Sequence, residues 1–149
     1  MADRLARREA CEQTMDNDVK IRTAVREDFE RIRAFDRWGG DRRKEIEQGV
    51  VFVAERGEEI LGYITLDTSF YERPFLRYLY IRSDHRRKGI GEQFMDFIES
   101  KCRGKRVFSS TESDNLAMLL LFEKKGYKLS GWIENLQERA EVVFCKDVP

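Results

Sequence analysis

The sequence predicts a single α/β domain whose sheet is mixed, mostly antiparallel, and contains one central parallel strand pair flanked by helices. Three observations carry this. Apolar segments alternate between strand and helix periodicity in the order β-α-α-β-β-β-α-β-α-β-β, with no internal repeat and no low-complexity tract. A strand at 75–82, a helix at 89–102 and a strand at 105–111 form a β-α-β unit, and such a crossover makes its two strands parallel. At 149 residues the chain is long enough for one real core and short for two.

Each element has a local reason. "VKIRTAV" (19–25) alternates as a short strand, and "REDFERIRAFD" places Phe29, Ile32 and Phe35 at helical spacing. "DRWGGDRRKEIEQG" breaks at Gly39-Gly40 and restarts as a short helix with Asp41 as its cap, closing on Gly49. "VVFVAERGEEILGYITLD" is a hairpin turning at Arg56-Gly57-Glu58, and "FLRYLYIR" is a strand rich in aromatic and branched residues. In the helix 89–102, Ile90, Phe94, Phe97 and Ile98 form one apolar stripe. "KRVFSST" suits a strand, and "SDNLAMLLLFEKKG" a capped helix ending at Gly126 with Lys124 and Lys125 in its last turn. "YKLSGWIE" and "EVVFCKDV" close the chain as two strands. Residues 1–18 are charged and weakly patterned, so they read as an extension before a domain at 19–149.

Composition excludes several classes of function. Twenty-eight basic and twenty-eight acidic residues cancel, which argues against nucleic acid or an anionic membrane as the partner, so any basic site is local. No apolar run approaches the roughly 20 residues that span a bilayer, and the start lacks the apolar stretch of a secretory signal. The expected location is the cytoplasm. Cys11, Cys102 and Cys145 are odd in number and far apart, and His85 is the single histidine, so neither a disulfide framework nor a metal site is expected.

Chemistry concentrates at "HRRKGIG" (85–91), where a basic run meets two glycines at a helix start. A helix N-terminus offers unsatisfied N–H groups and the positive end of the dipole, which together favour an anion. Gly89 and Gly91 would let a phosphate approach the backbone, with Arg86, Arg87 and Lys88 adding charge at the rim. A P-loop is excluded because Ile90, Gly91 and Glu92 follow Gly89 in place of Gly-Lys-Ser/Thr. A dinucleotide fingerprint is excluded by Phe94, which stands where a third small residue is needed.

"RRKGIG" (86–91) resembles the Arg/Gln-x-x-Gly-x-Gly/Ala acyl-CoA motif of the GNAT (general N-acetyltransferase) superfamily. An aromatic and aliphatic strand, "YLYI" (78–81), precedes it as in that family. "DNLAMLLLFEKKGY" resembles the family's second block, with Asn115, Gly126 and Tyr127 in place. The resemblance spans residues 19 to 147 and implies a GNAT-like fold in which the two parallel strands splay apart around acetyl-CoA. By this likeness the backbone of Leu79, Tyr80 and Ile81 would bind the pantetheine arm. The amides of Arg86, Arg87, Lys88, Gly89, Ile90 and Gly91 would take the pyrophosphate. Asn115 would contact the cofactor arm, and Phe122 occupies a further cofactor-side position.

Two departures matter. Family members often carry acidic residues just before the pantetheine strand segment, where this chain has Arg77 and Tyr78; Glu72, Tyr78 and Glu112 are therefore the candidates for the base that a protonated amine requires. Family members often place a tyrosine seven residues after the asparagine to protonate the leaving thiolate, where this chain has Phe122. The resemblance implies an acetyl-CoA-dependent N-acetyltransferase acting by direct transfer on a small-molecule or protein amine, with no metal. A non-catalytic CoA-binding module of the same fold is the alternative, and a homodimer is common in the family. Trp38, Trp132 and Glu134 are expected to line the acceptor site. The mixed charge of Arg37, Asp41, Arg42 and Glu138 favours neither a cationic nor an acidic acceptor.

Overall fold

The computed structural model describes residues 18–38 and 41–149; Cys11, Gly39-Gly40 and nearly all of the 1–18 extension lie outside them. Every predicted element is present. Strand β1 is Lys20–Thr23, and a 3-10 turn at Arg26–Asp28 leads into helix α1, Phe29–Arg33. Helix α2 is Arg42–Glu47, with the Asp41 carboxylate accepting from the Lys44 amide at 3.2 Å as the cap predicts. Strands β2 (Val51–Arg56), β3 (Glu59–Phe70) and β4 (Arg73–Ile81) follow as a meander. Helix α3 is Ile90–Lys101, β5 is Arg106–Glu112, α4 is Leu116–Lys124, β6 is Lys128–Ile133 and β7 is Glu141–Asp147.

The seven strands form one sheet in the order β1-β2-β3-β4-β5-β7-β6. All neighbours are antiparallel except β4 and β5, the pair that the β-α-β unit requires. The α3/α4 face holds the larger core, in which Ile90, Phe94, Met95 and Ile98 pack beneath the sheet. Full burial of each is worth about 2 kcal/mol. The α1/α2 face holds a smaller cluster around Ile32, Ile46, Val53 and Tyr63. Among the described residues no helix is long and apolar enough to cross a membrane.

Two features differ from the sequence expectation. β3 runs on to Phe70 and turns through Tyr71 and Glu72, which both adopt positive φ (51° and 60°) with Phe70 paired to Arg73. This two-residue hairpin uses a backbone that usually selects Asn or Gly, so nothing in its letters marks a turn. The second feature is a bulge. Ile64 pairs with Leu79 but Leu66 pairs with Leu76, so Thr65 alone stands opposite Arg77 and Tyr78. The Thr65 hydroxyl accepts from the Tyr78 amide at 3.0 Å, satisfying the group that the bulge removes from the ladder.

The end of β1 is fixed to the first turn by charge. Asp28, only 2% exposed, accepts from both Arg22 amino groups at 2.7 and 3.0 Å and from the Val25 amide at 2.8 Å. Burial alone would raise its pKa, but these bonds outweigh burial and hold it below the ordinary value of 3.8. A lowered folded pKa stabilises the fold above the unfolded pKa and loses that contribution as pH falls through the folded value. Asp28→Asn should therefore cost about 2 kcal/mol in urea unfolding at neutral pH. The gap between variant and wild type should shrink as pH falls below about 4, where the wild-type carboxylate also loses its charge.

Candidate functional site

The bulge opens the site. Between β4 and β5 the ladder consists of two pairs, Phe75↔Phe108 and Leu76↔Ser109, and the Ser109 hydroxyl donates to the Leu76 carbonyl at 2.7 Å where the pairing ends. From Leu79 to Ile81, β4 is paired on its β3 side alone, while β5 continues with β7 as far as Glu112↔Glu141. A cleft of about 610 Å³ occupies the divergence, within the size range of small-ligand sites. Leu79, Ser109, Thr111, Asn115 and Met118 line it toward the α3/α4 face. Trp38, Phe70, Phe75, Tyr78, Glu112, Ile133, Leu136 and Glu141 line it toward the other.

The start of α3 stands beyond the end of β4. Gly89 is its N-cap at φ 80°, a left-handed backbone that glycine adopts without strain, and no side chain caps the helix. The first-turn N–H groups are therefore left for solvent or a ligand. The loop that presents them is fastened by residues whose role the sequence did not reveal. His85, 7% exposed, places Nε2 3.3 Å from Glu59 Oε1, and Arg82 donates to the same oxygen at 2.9 Å. Glu59, Asp84 and His85 bring potential metal-ligating atoms within 4.8 Å of one another, but the Arg82 guanidinium already neutralises the two carboxylates at 2.9 and 3.6 Å.

Several expected residues sit differently from expectation. Arg86 is not a free rim charge: its Nε donates to the Ile81 carbonyl at 2.9 Å and its guanidinium lies 5.4 Å from the Tyr80 ring. Arg87, at φ 62°, and Lys88 remain exposed. A Cβ on Gly91 would meet Leu121 at 3.3 Å and Ile81 at 3.6 Å, so its bareness also serves the packing of α3 against α4 and β4. Phe122 is fully buried, 4.7 Å from Phe144 and 5.4 Å from Tyr127, and has no surface to offer a cofactor. Asn115 lines the cleft and also caps α4, its amide donating to Thr111 Oγ1 at 3.0 Å and its carbonyl accepting from the Met118 amide.

Of the three candidate bases, Tyr78 and Glu112 line the cleft, whereas Glu72 sits at the exposed hairpin tip and does not. Tyr78 is held between two groups, with Trp38 stacked 6.2 Å away and the buried Arg42 guanidinium 4.2 Å from its ring. Arg42 pairs with Asp36 at 3.1 Å and Glu45 at 2.8 Å. Tyr63 donates to Asp36 at 2.7 Å, and its phenol is pushed well above the ordinary range by burial and that bond. Of the residues expected at an acceptor site, Trp38 lines the cleft and Trp132, Glu134, Arg37, Asp41, Arg42 and Glu138 do not. Trp132 is paired with Val142, so it lies on the α3/α4 face of the sheet. Glu141, which does line the cleft, carried no signal in the sequence because only the β5–β7 register brings it opposite Glu112.

The sequence matches the Acetyltransferase (GNAT) family over residues 13–127, a match that begins inside the segment read as an extension. A GNAT-family acetyltransferase from Bacillus cereus superposes with a TM-score of 0.77 at 25% identity, covering 88% of this chain and 98% of that one. The yncA protein of Salmonella typhimurium, solved with acetyl-CoA, gives 0.68 at 17% identity over 89% and 95% of the two chains. Arabidopsis thaliana Naa50, solved with a bisubstrate analogue, gives 0.72 at 15% over 87% and 98%. No curated protein matches the sequence significantly.

The splayed pair depends on close contact between β3 and β4. A Cβ on Gly62 would fall 2.5 Å from the Tyr80 carbonyl oxygen and 3.0 Å from Ile81 Cα, both backbone atoms. Gly62→Ala should displace β4 and cost about 2 kcal/mol or more in urea unfolding. An unchanged unfolding midpoint would contradict this geometry.

Proposed function

The chain belongs to the GNAT acetyltransferase family, and from that premise we propose that it moves an acetyl group from acetyl-CoA to a primary amine by direct transfer in a ternary complex. Acetyl-CoA, the co-substrate, supplies the acetyl group as an activated thioester. The observation that carries the reading is the unpaired β5-facing edge of β4 from Tyr78 to Ile81, followed by the uncapped start of α3. A strand edge suits an amide-bearing arm, and a helix N-terminus suits a diphosphate.

In this reading the backbone of Leu79, Tyr80 and Ile81 holds the pantetheine arm, and the amides of the Arg86–Gly91 loop hold the pyrophosphate. Arg87 and Lys88 add screening charge. An amine of pKa about 10 must lose its proton before it attacks, and in this reading Glu112, a carboxylate that lines the cleft, accepts it. Among the described residues Glu112 makes no hydrogen bond or ion pair that would compete for that role. Tyr78, fixed by Trp38 and Arg42, orients the incoming amine. Phe122 supplies no proton to the leaving group, which is tolerable because a thiol of pKa about 8.5 departs readily as thiolate.

Calorimetric titration of the wild type with acetyl-CoA should give dissociation in the micromolar range. Gly89→Glu, which sets a carboxylate at the anion site, should abolish binding while urea unfolding confirms that the variant is folded. A folded wild type that fails to bind would sink the proposal. In acetyl transfer to a panel of amines followed by mass spectrometry, Glu112→Gln should lower kcat about 100-fold.

A further inference from the structure

The charges around the cleft are unevenly settled. Val107 and Phe144 belong to the core on the α3/α4 face, so strand alternation puts Glu112 and Glu141 on the opposite face of the sheet. They are directly paired across the β5–β7 ladder, both half-buried and both lining the cleft. Directly opposed Cβ atoms are about 5 Å apart, and two like charges so placed destabilise a sheet unless a cation lies with them.

Among the described residues no ion pair joins a cation to Glu112 or Glu141. Arg139 pairs with Asp114 at 3.4 Å and Arg42 is committed to Asp36 and Glu45; Arg77 lines the same cleft, but its guanidinium pairs with Asp67 at 3.9 Å and lies 5.4 Å from the Tyr78 ring. The side-chain partner found for the pair is neutral, the Gln137 amide, which donates to Glu141 at 3.0 Å. The opposite wall is aromatic: Trp38, 45% exposed, stacks on Tyr78, and Phe70 and Phe75 continue it. Aromatic faces also favour cations. The cleft thus joins a carboxylate pair to an apolar, π-rich wall, which suits a molecule with methylene groups between two positive ends.

We propose that Glu141, opposite Glu112 across the β5–β7 ladder, is a specificity-determining residue that selects a small diamine as acceptor by holding its second ammonium group. This rests on the acetyl-transfer reading above. One proton of the reacting ammonium goes to Glu112, the freed nitrogen takes the acetyl group as the thioester C–S bond breaks, and the second proton that this nitrogen sheds on becoming an amide is taken by the departing CoA thiolate, which leaves as the thiol. The second nitrogen stays protonated against Glu141 and reacts with nothing.

The test compares 1,4-diaminobutane with butylamine, which differ by one ammonium group. The wild type should favour the diamine at least about tenfold in kcat/KM, since a hydrogen bond between charged groups is worth that much. Glu141→Gln should remove most of that preference through KM rather than kcat, and Glu141→Asp should restore part of it. Equal use of both amines, or a preference untouched by Glu141→Gln, would overturn the proposal while leaving the acetyltransferase reading intact. Calorimetry of the diamine with the CoA-bound protein gives a second readout independent of turnover. Binding that weakens in Glu141→Gln supports the proposal even if neither amine is acetylated, an outcome that would count against the transfer reading alone; absent binding overturns the proposal.

Discussion

The hydrogen bond from the Tyr78 amide to the Thr65 hydroxyl is the contact on which the site depends. It allows one residue of β3 to face two of β4, and a bulged strand bends away from its neighbour. The bend ends the β4–β5 ladder after two pairs. It also exchanges the two faces of β4: Leu76 joins Leu79 and Ile81 on the α3/α4 side, whereas strict alternation would have placed it with Tyr78 and Tyr80. One misfit thus opens the cleft and keeps both cores filled.

The remaining elements hold that opening in place. Helix α3 is pinned by its apolar stripe, so its uncapped first turn stays beyond the end of β4. The loop between them is latched to β3 through Glu59 by Arg82 and His85. On the other face, Asp36, Arg42 and Tyr63 form a buried charged network under Tyr78. Breaking one partner of such a network leaves an uncompensated charge, so the cleft wall at Tyr78 is stiffer than a loop would be.

The order of elements was legible in the letters because each has a local cause: Asp41 caps α2, Ile90, Phe94 and Ile98 stripe α3, and Gly126 follows the end of α4. Non-local features were not. The Tyr71-Glu72 turn carries no Asn or Gly, so Glu72 was read as near the site when it lies at a hairpin tip. The bulge left only the adjacent apolar pair Phe75-Leu76 as a trace. Glu141 becomes visible through strand register, and Arg42, expected among the mixed charges of an acceptor site, is instead buried once Asp36 and Tyr63 are brought to it. Leu79–Ile81 and Arg86–Gly91 were legible as a motif, whereas the engagement of the Arg86 side chain with Ile81 and the full burial of Phe122 depend on packing that the letters do not show.

The central claim is that the gap between β4 and β5 receives the cofactor arm and the start of α3 receives its diphosphate. Backbone amide NMR during titration with acetyl-CoA tests it most directly. The account predicts that the largest shifts cluster at Leu79–Ile81 and at the loop ending in Gly91, with β1 and β6 undisturbed. Shifts centred elsewhere, or none at saturating acetyl-CoA, would contradict it.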